Sequence, residues 1–270
     1  MIIIASNITT RNDRINQGFR QLKAARWKDE KGLAPMLAEL AQRCAAAGAD
    51  ILEINVQQHH DRPEAMEFAI RAIQQLVECQ LCLSTDNAET LEAGLRVCKR
   101  PPLVNYISLD EPRLLRMLPL VAQYNAEVVL LLTDPTIPSD MQEMLTRAAA
   151  LVGAANEAGI PNDRIFVDPG IFHAASDMGG RHLTQVIEFL RAMPEAFDLP
   201  VRSVCRISNI SASIPRRLRP ALETALLAML SGLGLSSAFL DVLRRENMRM
   251  VHVIEILKNE TIYSDRDIEL

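Results

Sequence analysis

The sequence predicts an α/β chain closed into a (β/α)8 (TIM) barrel. Apolar runs of strand length alternate with helical patterns from one end to the other, eight of each, at roughly 30-residue spacing. No Gly-rich loop of the GxGxxG or P-loop kind is present, which weighs against a nucleotide-binding open sheet. No low-complexity stretch or linker divides the 270 residues, so residues 1–270 are expected to form a single domain.

The elements follow in order. Strands are expected at 1–5, 51–56, 80–85, 103–108, 128–133, 165–170, 202–208 and 236–241, each a short apolar run bounded by polar or turn-forming residues. Helical periodicity fills 34–48, 63–78, 88–99, 111–124, 139–159, 182–193, 217–232 and 243–259. Gly48 and Gly159 stop helices, and Pro63, Pro112 and Pro138 sit near helix starts. The polar stretch 6–33 reads as a long loop over the mouth with a short helix inside it. Met1-Ile2-Ile3-Ile4 lacks the basic residues of a signal peptide and reads as the first strand.

Composition narrows the function classes. Hydrophobic residues make up 49% of the chain, with no run of 18 apolar residues. The net charge of −5 offers no general case for nucleic acid or an anionic membrane. Five cysteines (Cys44, Cys79, Cys82, Cys98, Cys205) lie inside expected helices and strands and read as free thiols of a cytoplasmic protein. Cys79-x-x-Cys82 has metal-like spacing, but on a strand the two face opposite sides. The histidines show no ligand spacing, so no metal site is expected. The segment 217–257 is unusually apolar for an outer helix pair, which suggests a homodimer.

In such a barrel the C-terminal strand ends converge on one mouth, and residues there read as functional by position. Phe166-Val167-Asp168-Pro169-Gly170 is the clearest case: a buried strand is stopped at once by Pro-Gly, holding a carboxylate at its end. The other ends supply Asn7, Glu53, Asn55, Ser84, Thr85, Asp86, Asn87, Asn105, Thr133, Asp134, Ser208, Asn209 and Asp241. Amides and carboxylates suit a flat heterocycle with alternating donors and acceptors. Singly, such residues serve as often to cap helices and satisfy loops; as a set they favour a ligand site. Arg216, Arg217 and Arg219 after strand seven suit an acidic tail or the acidic face of a partner, or simply a solvated helix start.

These residues resemble the pterin-binding methyltransferases that pass a methyl group from methyltetrahydrofolate to a corrinoid protein; dihydropteroate synthase is a more distant relative. The anchors are Ala49–Val56, Leu81–Asn87 leading into Glu92–Leu95, Val104-Asn105, Val167-Asp168-Pro169 and Ile207–Ser211, with Glu255–Tyr263 resembling the family's end. The resemblance implies that Asn105 and Asp168 grip the pterin edge and that Asn209 is a mobile amide near the methyl-bearing nitrogen, so Asn209 and Asp168 are the candidate catalytic residues. Substrate-binding candidates are Asn105, Asp168, Asn209, Asp86, Ser84, Asn7, Glu53 and Arg206. Methyltetrahydrofolate would be the substrate, and the corrinoid would be carried by a partner protein, because the chain holds no Asp-x-His-x-x-Gly run.

The chain departs from the family pattern at three places. Ser84 stands where the family has a carboxylate, and Asp86, two residues on, would share its face if the strand extends that far. Arg206 stands where a small residue is usual, a cation that would crowd a pterin or meet an anionic substrate. Arg14-Ile15-Asn16 carries the letters of the family's first-strand motif, whereas Asn7 has its position. The rival readings are a diverged barrel acting on another methyl donor or an acidic small molecule, and a non-catalytic subunit that binds pterin or docks the corrinoid protein.

Overall fold

The computed structural model describes residues 1–29, 32–198 and 200–262, together with the backbone but not the side chain of His59. Its eight strands are β1 (Ile2–Thr9), β2 (Ile51–Asn55), β3 (Gln80–Ser84), β4 (Leu103–Ile107), β5 (Glu127–Leu131), β6 (Ile165–Asp168), β7 (Arg202–Arg206) and β8 (Ser237–Leu240). All neighbours pair in parallel, and β1 pairs with both β2 and β8, so the sheet closes in sequence order. This is the (β/α)8 barrel that the alternation predicted. Around it run α1 (Asp13–Ala24), α2 (Leu33–Ala46), α3 (Gln57–His60), α4 (Pro63–Ile73), α5 (Ala88–Val97), α6 (Glu111–Gln123), α7 (Met141–Glu157), α8 (Gly179–Ala196), α9 (Arg219–Gly232) and α10 (Arg245–Leu257).

Two cores result from strand alternation. Residues facing outward pack under the helices and form the larger cluster, which includes Leu52, Ile54, Leu83, Val104, Leu130 and Val167. Inside the barrel Ile4, Ile51, Cys82, Leu103, Val129, Phe166, Val204 and Phe239 form a separate plug, one residue from each strand. Below it Glu127 accepts from Arg202 at 2.8 Å and from Gln80 at 2.7 Å, while Arg202 lies 4.9 Å over the Phe166 ring. A polar layer therefore seals the bottom of the lumen. Cys82 belongs to the interior plug whereas Cys79 lies before the strand and packs against the outer core, so the Cys-x-x-Cys pair is split between layers.

The stretch 6–33 contains the expected helix, but it is more ordered than a long loop with a short helix inside it. β1 runs on to Thr9, with an irregularity in its pairing between Ala5 and Ile8, and α1 then takes 12 residues. The physical reason is legible in hindsight. Ile15, Phe19 and Leu22 follow helical spacing and are all buried, and the Asn12 side chain accepts from the backbone N–H groups of Arg14 and Ile15 as an N-cap. Burying a side chain such as Phe19 stabilises by about 1.5–3 kcal/mol, enough to order a polar helix on an apolar stripe.

The seventh strand also ends earlier than expected. It stops at Arg206, and Ile207–Ser211 turns into a 3-10 helix that carries Ser208 and Asn209. The final anchor of the sequence reading is described as far as Ile262; Tyr263 lies outside the described residues. Among the described residues, no helix is long and apolar enough to cross a membrane.

Candidate functional site

A cavity of about 410 Å³ opens at the C-terminal end of the strands, within the range of small-molecule sites. Glu53, Asn55, Asn105, Asp168, Arg206, Ser208 and Asn209 all reach its wall. Alternation explains why: Asn105 sits two residues beyond the plug residue Leu103, Asp168 two beyond Phe166, and Arg206 two beyond Val204.

The floor of the cavity is one hydrogen-bonded chain. The Asn105 amide donates to Ser84 Oγ at 2.8 Å, and Ser84 Oγ donates to Glu53 Oε1 at 2.6 Å. Arg206 closes the chain from the far side, Nη1 to Glu53 Oε2 at 2.9 Å and Nη2 to Glu53 Oε1 at 2.6 Å. The guanidinium also rests 4.2 Å above the ring of Phe239 in the plug. Burial pushes the Glu53 carboxyl up, but the Arg206 charge and the bonds from Arg206, Ser84 and Asn55 outweigh it and hold the group below its ordinary value. Glu53 is therefore an ionised carboxylate at 1% exposure, with both oxygens engaged by Arg206 and Oε1 also by Ser84.

Asp168 differs from Glu53 on each point. Its Oδ1 accepts the Gly170 backbone N–H at 2.8 Å, leaving Oδ2 for the cavity. Burial pushes its carboxyl up to about 6, with the Gly170 bond and the charge of Arg206 pulling back only part of the shift. Gly170 is required here on two counts: its φ is +75°, and a Cβ would meet the Thr133 side chain at 2.6 Å. One turn further the Gly170 carbonyl accepts from His182 Nε2 at 3.0 Å, and His182 meets the Phe172 ring edge-on at 4.6 Å. Burial lowers the basicity of His182, so it serves as a neutral brace for the loop.

Asn209 is half-buried on the wall, and its amide has no hydrogen bond to another described residue. The segment beneath it is fixed. Ser211 Oγ donates to the buried Glu223, which also binds Arg244, and the Ile210 carbonyl accepts from Ala174 N–H at 2.9 Å. A free side chain on a braced turn can follow a ligand without moving the backbone.

The structure leaves three of the eight substrate-binding candidates off the cavity wall, along with the strand-end residues Thr85, Asn87, Asp134 and Asp241. Asp86 does not take the place of the missing carboxylate, because β3 ends at Ser84 and Asp86 turns outward at 54% side-chain exposure, 3.7 Å from Arg113. It faces Asp61 instead, whose carboxyl is pushed up to about 6 by burial and by its bond to Asp86. Asn7 ties two strand ends together, donating to Asp241 Oδ1 at 2.5 Å and accepting from Val242 N–H at 3.1 Å. Ser84 lies under the floor at 1% exposure, supporting Asn105 and Glu53.

Other residues of the wall were not singled out from the sequence. Ser6 and Thr9 come from the extended β1, Arg11 from the turn after it, Gln57 from α3, Tyr106 from β4, and Ile171 and Phe172 from the loop after β6. Arg216 and Arg217 are exposed, whereas Arg219 Nε donates to the Ile214 carbonyl at 2.8 Å and so closes the turn before α9. Among the described residues, no group of three or more His, Cys, Asp or Glu could hold a metal ion.

Barrel closure, a polar mouth and a half-free carboxylate at the end of β6 define a (β/α)8 barrel with a small-molecule cavity at the C-terminal ends of its strands. The chain belongs to the pterin binding enzyme family, whose model matches residues 33–239. It is 26% identical over 198 residues, 72% of this chain and 71% of the relative, to the methylcorrinoid:tetrahydrofolate methyltransferase of Eubacterium limosum. Among solved structures it resembles the dihydropteroate synthase of Yersinia pestis with a pterine-sulfa conjugate, at TM-score 0.67 and 17% identity, covering 96% of this chain and 94% of that one. The 7,8-dihydropteroate synthase of Vibrio fischeri matches at TM-score 0.68 and 16% identity, with 96% and 94% covered. At these identities the two structures show the shared fold alone.

Proposed function

We propose that the protein moves a methyl group between methyltetrahydrofolate and the cobalt of a corrinoid carried by a separate partner protein. The observation that carries this reading is the Asp168 carboxylate, with one oxygen tied to Gly170 and the other left to the cavity, in a chain of this family and with this relative. A carboxylate so held can accept two N–H groups from an aminopyrimidine edge, and the Asn105 amide oxygen supplies a further acceptor.

The Co(I) corrinoid, the second substrate, supplies the electron pair that takes the methyl carbon in line. The carbon–nitrogen bond breaks with its electrons on the pterin nitrogen, which gains a proton. In the reverse direction the nitrogen attacks the methyl group of the methylated corrinoid, the cobalt–carbon bond breaks with its electrons left on cobalt as Co(I), and the nitrogen gives up that proton. Asp168 and Asn105 hold the ring in register, which is the positioning contribution. Asn209 orients toward the reacting nitrogen and stabilises the polar transition state; an amide cannot surrender the proton, so water relays it.

We further propose that residues 1–270 act as one domain, in the cytoplasm, as a homodimer. Leu218, just before α9, and Ala221, Ala225 and Met229 along it follow helical spacing and are exposed, an apolar face suited to a second copy of the chain. Neither nucleic acid nor a membrane enters this reading.

Calorimetric titration with methyltetrahydrofolate tests the proposal, followed by methyl transfer to a Co(I) corrinoid protein. Micromolar binding with transfer supports it. A second reading, another methyl donor or an acidic small molecule, draws on Arg206 at the floor of the mouth; silence at millimolar methyltetrahydrofolate selects it. Binding without transfer selects a non-catalytic subunit.

A further inference from the structure

The five-residue turn that follows β7, Ile207–Ser211, has two sides. Ser208 and Asn209 reach the cavity wall, whereas Ile207, Ile210 and Ser211 are buried beneath it. On the buried side the Ser211 hydroxyl donates to Glu223 Oε1, and Glu223 Oε2 accepts from Arg244 Nη1. Arg244 also stands 3.9 Å from Asp241, which takes the Asn7 amide at 2.5 Å. One polar chain thus joins β1, the loop after β8, α9 and the turn, and it ends two residues from Asn209.

Stability alone does not account for this chain. Glu223 is 2% exposed and shares the buried face of α9 with Leu226, Leu227 and Leu230. A carboxylate buried there loses its hydration, and an ion pair does little more than offset that loss, where an apolar side chain would pack without it. Just beyond the turn, Ser213 holds a φ of +66°, a left-handed backbone that a residue with a Cβ keeps only where its surroundings impose it. The Ile214 N–H donates back to the Ser211 carbonyl at 3.1 Å, and Arg219 Nε holds the Ile214 carbonyl at 2.8 Å. The buried charge and the unusual backbone both lie against the turn that carries Asn209.

We propose that Glu223, acting through Ser211, is the positioning residue for Asn209. It fixes the backbone of the turn, so that the Asn209 amide is already placed when the methyl group transfers. This rests on the proposed methyl transfer and goes further, since it gives a role in the reaction to a carboxylate outside the cavity wall. The Asn209 amide bonds to no other described residue, so its place depends on the backbone that carries it. Asn7, expected from the sequence to touch substrate, stands instead at the far end of the same support.

The test is single-turnover methyl transfer from methyltetrahydrofolate to free Co(I) cobalamin, read beside the calorimetric dissociation constant, in the full chain. Ser211→Ala removes the link to the turn and leaves the Glu223–Arg244 pair whole. Transfer should slow by about tenfold while the dissociation constant stays within about threefold, as for a displaced group and not a lost contact. Added to Asn209→Ala, the same change should slow transfer by less than about twofold more, because the support then has nothing to position. Glu223→Gln keeps the shape and loses the charge; its transfer should slow severalfold, and it carries the test if Ser211→Ala does not unfold cooperatively. An unchanged rate, a loss confined to the dissociation constant, or an equal slowing with and without Asn209 overturns the inference and leaves the methyl-transfer reading in place. No transfer by the unmodified protein overturns both.

Discussion

The carboxylate of Asp168 and the backbone N–H of Gly170 meet at 2.8 Å, two residues apart, at the point where β6 turns into the mouth. The bond orients one carboxylate oxygen and frees the other, but a single backbone donor does not offset burial, and the group stays up at about 6.

Stability should therefore fall as pH rises from about 4 to about 7. The folded chain holds the Asp168 proton more tightly than the unfolded chain does, so this contribution is fully present below the ordinary carboxylate range and lost through pH 6. A shift from 3.8 to about 6 corresponds to about 3 kcal/mol. Asp61, also raised to about 6, acts with the same sign. Urea unfolding across this range should show the slope reduced in Asp168→Asn and reduced further when Asp61→Asn is added. A slope untouched by Asp168→Asn would assign the effect elsewhere.

Ligand affinity should show the opposite pH trend. Only the ionised Asp168 accepts two N–H groups, so methyltetrahydrofolate should bind about tenfold more weakly per pH unit below 6 and level off above it. Titrations between pH 5 and 8 read this directly, and Asp168→Ala should abolish binding throughout. Equal affinity at pH 5 and pH 8 would remove Asp168 from the contact.

Arg206→Met alone should be severely destabilising, by about 3–5 kcal/mol, because it strands the buried Glu53 charge. Glu53→Gln in the same chain should recover much of that loss. Denaturant midpoints of the two single variants and the double give the coupling. Losses that simply add would mean that the pair is no clamp.

Ser84→Asp should not improve pterin binding, although it supplies the carboxylate that the resembling sequences carry. The new group would lie against Glu53 Oε1, now 2.6 Å from the Ser84 hydroxyl, and two carboxylates that close cannot both stay ionised. The expected results are lower stability and unchanged or weaker affinity by calorimetry. Tighter binding would show that the serine is a loss and not an adaptation.

Asn209→Ala should lower the rate of methyl transfer by about 10–100-fold while changing the dissociation constant only severalfold, since its amide acts where charge develops. Single-turnover transfer to a Co(I) corrinoid protein separates the two effects. A loss confined to binding would make Asn209 a ring contact only.

Much of the architecture was legible because each strand is a short apolar run and each helix a longer periodic one. β2, β3 and β4 end within a residue of their expected ends, and Asp168, Asn105 and Asn209 were reachable as strand-end polar residues. α1 was legible only as a short helix of no fixed bounds within a loop, because its apolar stripe is just Ile15, Phe19 and Leu22 among polar neighbours. Asp86 was misplaced because same-face reasoning holds only while a strand continues, and β3 stops at Ser84. Asn7 and Asp241, separated by 234 residues, gave no local sign that they would bond each other.

Local periodicity and residue type determined the order of elements, the barrel they close and the strand ends that carry polar groups, because these depend on which neighbours a residue has along the chain. Only the tertiary structure decided what those groups do. Arg206 and Glu53 stand 153 positions apart on strands that are not neighbours, and their meeting across the lumen turns one candidate carboxylate into the partner of a buried ion pair. Asp168, with no such partner, keeps an oxygen for the cavity. Charge pairing across a closed barrel depends on distance through space, and a sequence records distance only along the chain.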